Sequence, residues 1–156
     1  MLKKIELDIL SLLEKNSRIS QKDIAEQIHS TPPTVSKIMS NLTERGLIAG
    51  FSTDIRHSYF GYNILAYVMI RCQSQKRSDQ QKMINKAKNI SEILEFNEIF
   101  GQEWDFIAKI LTKDNKMLRD TLHYFVDDEN VERIMTLNVS DTLKYSKGIP
   151  VSELKN

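Results

Sequence analysis

The sequence predicts an α+β chain built in two parts, a helical first third followed by a region where strands and helices alternate. Three observations carry this reading. Within the first fifty residues, apolar side chains recur at helical spacing in three short stretches. The third of these, Thr31 to Gly46 (TPPTVSKIMSNLTERG), carries a marked start and a marked stop. From Asn63 onward, the order reads strand, helix, strand, strand, helix, strand.

The first helix rests on Ile5, Ile9, Leu12 and Leu13 and is predicted to end near Asn16. Ser20, with Asp23 three residues later, resembles a capping box and opens a second helix over 21–28, with Ile24, Ala25 and Ile28 inward. A tight turn through His29 and Ser30 leads to the third helix. Thr31 is expected to cap it through its hydroxyl, with Pro32 at the first helical position and Gly46 as a left-handed stop. At 100° per residue, Val35, Ile38, Met39 and Leu42 fall on one side and Lys37, Ser40 and Asn41 on the other. Three short helices with a tight second turn are the sequence form of a helix-turn-helix. The extended piece IAGFSTDI is predicted as a β wing beside them.

Residues 57–62 (HSYFGY) read as a turn-rich connector. Ile64, Leu65, Tyr67, Val68 and Ile70 predict a strand buried on both sides, closed by Cys72. A polar helix follows with Met83, Ile84 and Ala87 inward. Strands over 93–100 and 106–112 flank the turn GQEWD. Asp114 is placed to cap a helix through Met117, Leu118, Leu122 and Phe125, and 131–139 forms the last strand. The predicted class is therefore α+β, an N-terminal winged helix-turn-helix plus a C-terminal ferredoxin-like βαββαβ sandwich. The expected domains are 1–50 for DNA binding, 51–62 as wing and linker, and 63–156 for dimerisation. With helices on one sheet face only, the other calls for a second copy, because a bare apolar face promotes aggregation.

Composition narrows the function classes. The 156 residues carry a net charge of +1, and residues 1–50 hold seven Lys/Arg against six Asp/Glu. A DNA binder so nearly neutral must place its positive charge locally and gain affinity by assembly. The single cysteine excludes an intrachain disulfide, fits a reducing compartment, and in its apolar run reads as a buried structural thiol. The charges threaded through MLKKIELDIL are unlike a signal-peptide core, and the apolar run 64–70 is far below the ~20 residues of a membrane helix. A cytoplasmic protein with no membrane partner is expected. His29, His57, His123 and Cys72 are scattered without ligand spacing, so no metal or other cofactor is expected. No phosphate loop or nucleophile motif occurs, and the acidic run 127–129 reads as a solvated turn.

The strings LDILSLLEKNSRIS, KDIAEQIHST and TVSKIMSNLTERGLIAGF resemble the winged helix-turn-helix of the Lrp/AsnC, or feast/famine, regulators. The resemblance runs on through FGY and, as element order, across the second part. Where that family has an arginine one turn after the recognition-helix valine, this chain has Ile38. The resemblance implies a sequence-specific transcriptional regulator, not an enzyme, that binds palindromic double-stranded DNA as a homodimer, with tetramers or octamers open. It also implies an amino-acid or other small-molecule effector bound near the turn Gly101 to Asp105, where this chain has one residue more than the family's glycine, two residues and aspartate.

The candidate DNA-binding residues are Thr31, Thr34, Ser36, Lys37, Ser40 and Asn41. Lys37 suits a phosphate or a guanine edge, Asn41 an adenine N6 and N7, and the serines either. Thr31 and Thr34 stand at the helix start, where backbone N–H groups favour phosphate. Gly101 and Asp105 are the effector candidates, Asp105 accepting from a ligand ammonium. Two alternatives stay open. One is an architectural DNA binder of low specificity. The other is an enzyme like the siroheme decarboxylases, which resemble the same two-domain plan; here Arg56 and His57 are the one place where a histidine adjoins a basic residue.

Overall fold

The computed structural model describes residues 2–145 and residue 151, so part of the predicted 63–156 segment lies outside the described residues. The chain divides into two compact units, one of residues 1–54 with 144–156, the other of 55–143.

The first unit holds α1 (Lys4–Lys15), α2 (Gln21–Gln27) and α3 (Pro32–Glu44). Its core is small and aliphatic: Ile9 and Leu13 from α1, Ile24 and Ala25 from α2, Val35 and Leu42 from α3, and Ile48 beyond. Fully burying an aliphatic side chain contributes about 1.5–3 kcal/mol, so these few residues carry the unit. Ser20 Oγ accepts from the Asp23 N–H at 3.1 Å and starts α2. That helix ends with His29 at φ +52°, the one non-glycine with positive φ among the described residues. The His29 N–H reaches the Glu26 carbonyl and the Ser30 N–H the Ala25 carbonyl, which turns the chain tightly into α3.

Three local expectations are corrected. Thr31 does not cap α3 with its hydroxyl, which instead lies 2.9 Å from the Thr34 hydroxyl. Pro32 and Pro33 occupy the first two helical positions and carry no N–H, so less remains to be capped. The β wing is absent: no strand forms between α3 and the 3₁₀ turn His57–Phe60. A wing needs two hydrogen-bonded segments, and residues 49–56 find no partner strand among the described residues.

The second unit is built from β1 (Ile64–Cys72), α4 (Arg77–Ala87), β2 (Ile93–Glu98), β3 (Phe106–Thr112), α5 (Asn115–Val126) and β4 (Val131–Asn138). The four strands form one antiparallel sheet in the order β2-β3-β1-β4. Val68 lies opposite Ala108 on one side and Thr136 on the other. Asp114 caps α5 as predicted, its carboxylate accepting from the Met117 N–H at 2.8 Å. The core gathers Ala66, Val68, Ile70 and Cys72 of β1, Phe106, Ala108 and Ile110 of β3, Met83 and Ala87 of α4, and Leu118 and Phe125 of α5. Phe96 of β2 stacks on Phe106 at 5.2 Å and on Phe125 at 6.0 Å, stitching sheet to helix.

The third correction concerns β1. It is buried on one side only: Ala66, Val68, Ile70 and Cys72 are buried, while Leu65, Tyr67, Met69 and Arg71 between them are half-buried. Both helices pack on the first side. The pleat sends alternate residues to the other. There Tyr67 lies opposite Leu137 and Met69 opposite Met135, with Leu137 49% exposed.

Candidate nucleic-acid interface and effector turn

Helix α3 is fixed from both ends of its buried stripe. Val35 and Leu42 are inaccessible to solvent, and Ile38 and Met39 pack half-buried against the same core. At the far end the Gly46 N–H donates to the Thr43 carbonyl and the Leu47 N–H to the Leu42 carbonyl, with Gly46 at φ +72°. This double turn satisfies the last carbonyls and requires a residue tolerant of the left-handed region.

With the helix so anchored, its opposite side is set. Thr31, Thr34, Lys37, Ser40 and Asn41 are exposed, and Ser36 is half-buried. Ser36 and Ser40 line a shallow groove of about 420 Å³ with Gln21, Met39, Thr43 and Glu44. Thr31 and Thr34 are brought together by their hydroxyl contact at the helix start. Lys37 is the single basic side chain on α3 itself. Such a surface can donate and accept toward base edges and phosphates, the two kinds of contact a major-groove helix makes.

Two residues outside the predicted set shape this surface. Arg45 follows α3 directly, and its Nη1 donates to Glu6 Oε1 on α1 at 2.6 Å and to Asn41 Oδ1 at 3.1 Å. Glu6 is buried, and its other oxygen accepts from the Lys3 N–H at 2.6 Å. That backbone hydrogen bond, with the Arg45 guanidinium, holds the Glu6 carboxyl below its ordinary 4.5, against the opposing effect of desolvation. The Asn41–Arg45 contact has the i,i+4 spacing of a helix-surface pair and was legible in the sequence. The Glu6 contact, thirty-nine residues away, was not.

At one end of the sheet, the Gly101–Asp105 turn joins β2 to β3. The Asp105 carboxylate is largely buried and engaged within its own unit. Oδ2 accepts from the Cys72 N–H at 2.7 Å, and Oδ1 from Gln75 Nε2 at 3.2 Å and Arg71 Nη1 at 3.4 Å. It thereby holds the end of β1, where the register with β4 shifts between Arg71 and Cys72. Gly101 sits on the same turn, where an added Cβ would meet only the Trp104 carbonyl at 3.7 Å. Trp104 is half-buried, with the Arg133 guanidinium 4.6 Å from its ring centre. Burial and the neighbouring Asp105 push the Cys72 thiol up to about 11, so it is an inert core group. His57, of the pair Arg56 and His57, lies with its Nδ1 2.7 Å from the Tyr62 carbonyl and closes the connector on itself.

A helix-turn-helix with a stabilised, polar-faced third helix, joined to a four-stranded antiparallel α+β domain, defines a two-domain DNA-binding regulator. Comparison with known proteins agrees over most of the length. The family pattern described as winged helix-turn-helix DNA-binding matches residues 2–49, and that described as the Lrp/AsnC ligand binding domain matches residues 65–149. The HTH-type transcriptional regulator FL11 of Pyrococcus furiosus is 28% identical over 147 residues, covering 94% of this chain and 95% of that protein. LrpB of Bacillus subtilis, another HTH-type transcriptional regulator, is 31% identical over 124 residues, 77% of this chain and 80% of its own. A crystal structure of the regulator NMB0573 of Neisseria meningitidis with L-Met superposes with a TM-score of 0.89 at 15% identity, over 99% of each chain. The chain belongs to the Lrp/AsnC family of transcriptional regulators.

Proposed function

We propose that this regulator reads palindromic double-stranded DNA as a homodimer, and that an amino acid modulates it at the Gly101–Asp105 turn. The observation that carries the DNA reading is the outward side of α3: Lys37, Ser40 and Asn41 are exposed, while Val35 and Leu42 beneath them are sealed. Lys37 supplies charge toward phosphate or guanine, Ser36, Ser40 and Asn41 reach base edges, and Thr31 and Thr34 sit by the phosphates at the helix start. One copy of so neutral a unit binds weakly. Two copies presenting their α3 helices to half-sites about 34 Å apart supply the affinity.

The apolar sheet face formed by Tyr67, Met69, Met135 and Leu137 supports the homodimer, because both helices of its unit pack on the opposite face and leave these side chains partly exposed. Higher assembly into tetramers or octamers would add to it. For the effector, Asp105 offers a carboxylate with about four lone-pair positions, of which three are taken. A ligand ammonium would take the fourth or displace Gln75. The turn's backbone N–H groups suit the ligand's carboxylate. We read the chain as a cytoplasmic regulator rather than an enzyme; among the described residues no helix is long and apolar enough to cross a membrane.

The test is retardation of DNA upstream of its own coding sequence by the purified chain at fixed low salt, against random DNA of equal length. A preference of about a thousandfold or more marks a sequence-specific regulator, and a ratio near one marks an architectural binder. Absence of any retardation, with or without amino acids, rejects DNA binding. Calorimetric titration with each amino acid tests the effector part, with Asp105→Asn expected to weaken whichever binds.

A further inference from the structure

The Glu6–Arg45–Asn41 chain decides which way the Asn41 amide points. Arginine has donors and no acceptor, so the atom that faces Arg45 Nη1 must be the amide oxygen, as found at 3.1 Å. The guanidinium itself is not loose. Its Nη1 is also 2.6 Å from Glu6 Oε1, and Glu6 is a buried side chain anchored by its second oxygen to the Lys3 N–H. Nη1 carries two hydrogens, and these two acceptors use both. Asn41 is exposed on α3, on the side away from Val35 and Leu42.

We infer that Arg45, held by Glu6, is a positioning residue that makes Asn41 a hydrogen-bond donor toward DNA, selecting guanine over adenine at the base pair it meets. A free asparagine pairs with adenine by accepting from N6 with its oxygen and donating to N7 with its nitrogen. With Oδ1 turned toward Arg45 and one of its two lone pairs taken, the amino group Nδ2 is the end of the amide turned away from Arg45 and offered outward. Two N–H donors fit the adjacent O6 and N7 acceptors of guanine. At adenine they would meet the N6 amino group, donor against donor. The inference rests on α3 reading DNA as proposed above, and refines it by naming the base that is read.

The experiment is binding-site selection from a random duplex library with the full chain, comparing wild type, Asn41→Ala, Arg45→Met and Glu6→Gln. Wild type should show one position per half-site with roughly tenfold preference for guanine over adenine, the scale one well-placed pair supplies. Asn41→Ala should abolish that preference. Arg45→Met, which keeps the aliphatic stem, should bring guanine and adenine near parity there and leave other positions unchanged; Glu6→Gln should move it part of the way. Thermal melts identify a variant that fails to fold, and if Arg45→Met fails, Glu6→Gln carries the test. An unmoved position in the folded Arg45 variant overturns the inference. So does a uniform affinity loss across sequences with a salt slope lowered by about one, which marks Arg45 as a phosphate ligand. Wild type that selects no sequence at all rejects the DNA reading itself. That outcome is distinct from a wild type that selects a site to which Arg45 is indifferent.

Discussion

Helix α3 offers solvent Lys37, Ser40 and Asn41, whereas β1 and β4 offer Tyr67, Met69, Met135 and Leu137. Both regions bury one side against a compact core. Val35 and Leu42 are sealed in the first, Val68 and Ile70 in the second. The difference lies only in what faces out. Hydrogen-bonding side chains on a small unit carry information about a partner but little burial free energy. An apolar face carries burial free energy at about 25 cal/mol per Å² and little information. On the proposed function, recognition and assembly fall on separate units, and a substitution in one should leave the other's readout intact.

The sharpest way to break that division is to charge the sheet face. Leu137→Asp, with its side chain half exposed in a single chain, should leave folding intact and convert the proposed dimer to monomer. Affinity for a DNA site should then fall by about a hundredfold or more, because two linked half-sites become one. Sedimentation and gel shift on the same sample measure both effects. A variant that stays dimeric yet loses DNA would show that the sheet face takes part in recognition, against the division drawn here.

Lys37→Ala should act in the opposite sense, weakening a specific site by about 1–3 kcal/mol with sedimentation unchanged. Asn41→Ala should lose a similar amount, confined to the base pair it meets. If either substitution lowers the urea midpoint by as much as a core truncation does, the side chain was holding the fold rather than facing DNA.

How far these surfaces could be read in the sequence differs for a physical reason. The Pro32 start and Gly46 stop of α3, the caps at Ser20 and Asp114, and the order of elements along the second unit followed from local chemistry, since each involves residues within a few positions of one another. The one-sided burial of β1 was not legible from ILAYVMI, whose apolar residues do not alternate: the outward ones serve a face that the single chain leaves open. The missing wing has the same origin. Phenylalanine and threonine in GFST favour an extended chain, but pairing depends on a partner strand that the sequence alone does not supply. The partners of Arg45 and Asp105 were hidden in different ways. Arg45 acts through Glu6 at long range, and Asp105 spends its carboxylate on Cys72, Arg71 and Gln75, which share no local pattern with it.

A smaller effect separates the tight turn from the helix it introduces. His29 holds φ +52°, a conformation that disfavours a residue with a Cβ by roughly 1 kcal/mol. His29→Gly should therefore stabilise the first unit by about that amount, read as a raised melting temperature. DNA affinity should be unchanged, because the turn geometry is kept. A fall in affinity without loss of stability would assign the imidazole to the DNA surface and enlarge the recognition side of the comparison.

The smallest expected effect is the dependence of the first unit on acid. Glu6 is held below its ordinary 4.5 first by the Lys3 N–H and then by Arg45, so its contribution is fully present above that ordinary value. It is lost as pH falls through the lower value of the folded state. Arg45 is 42% exposed, so solvent screens its share and the slope should be shallow. Urea unfolding of wild type should weaken as pH falls below about 4.5, and Glu6→Gln should flatten that part of the curve. The Cys72 thiol, pushed up to about 11 by burial, contributes nothing to the acid limb. An acid limb identical in wild type and Glu6→Gln would mean that the pair linking α1 to Arg45 does not form in solution. Asn41 would then be free to turn.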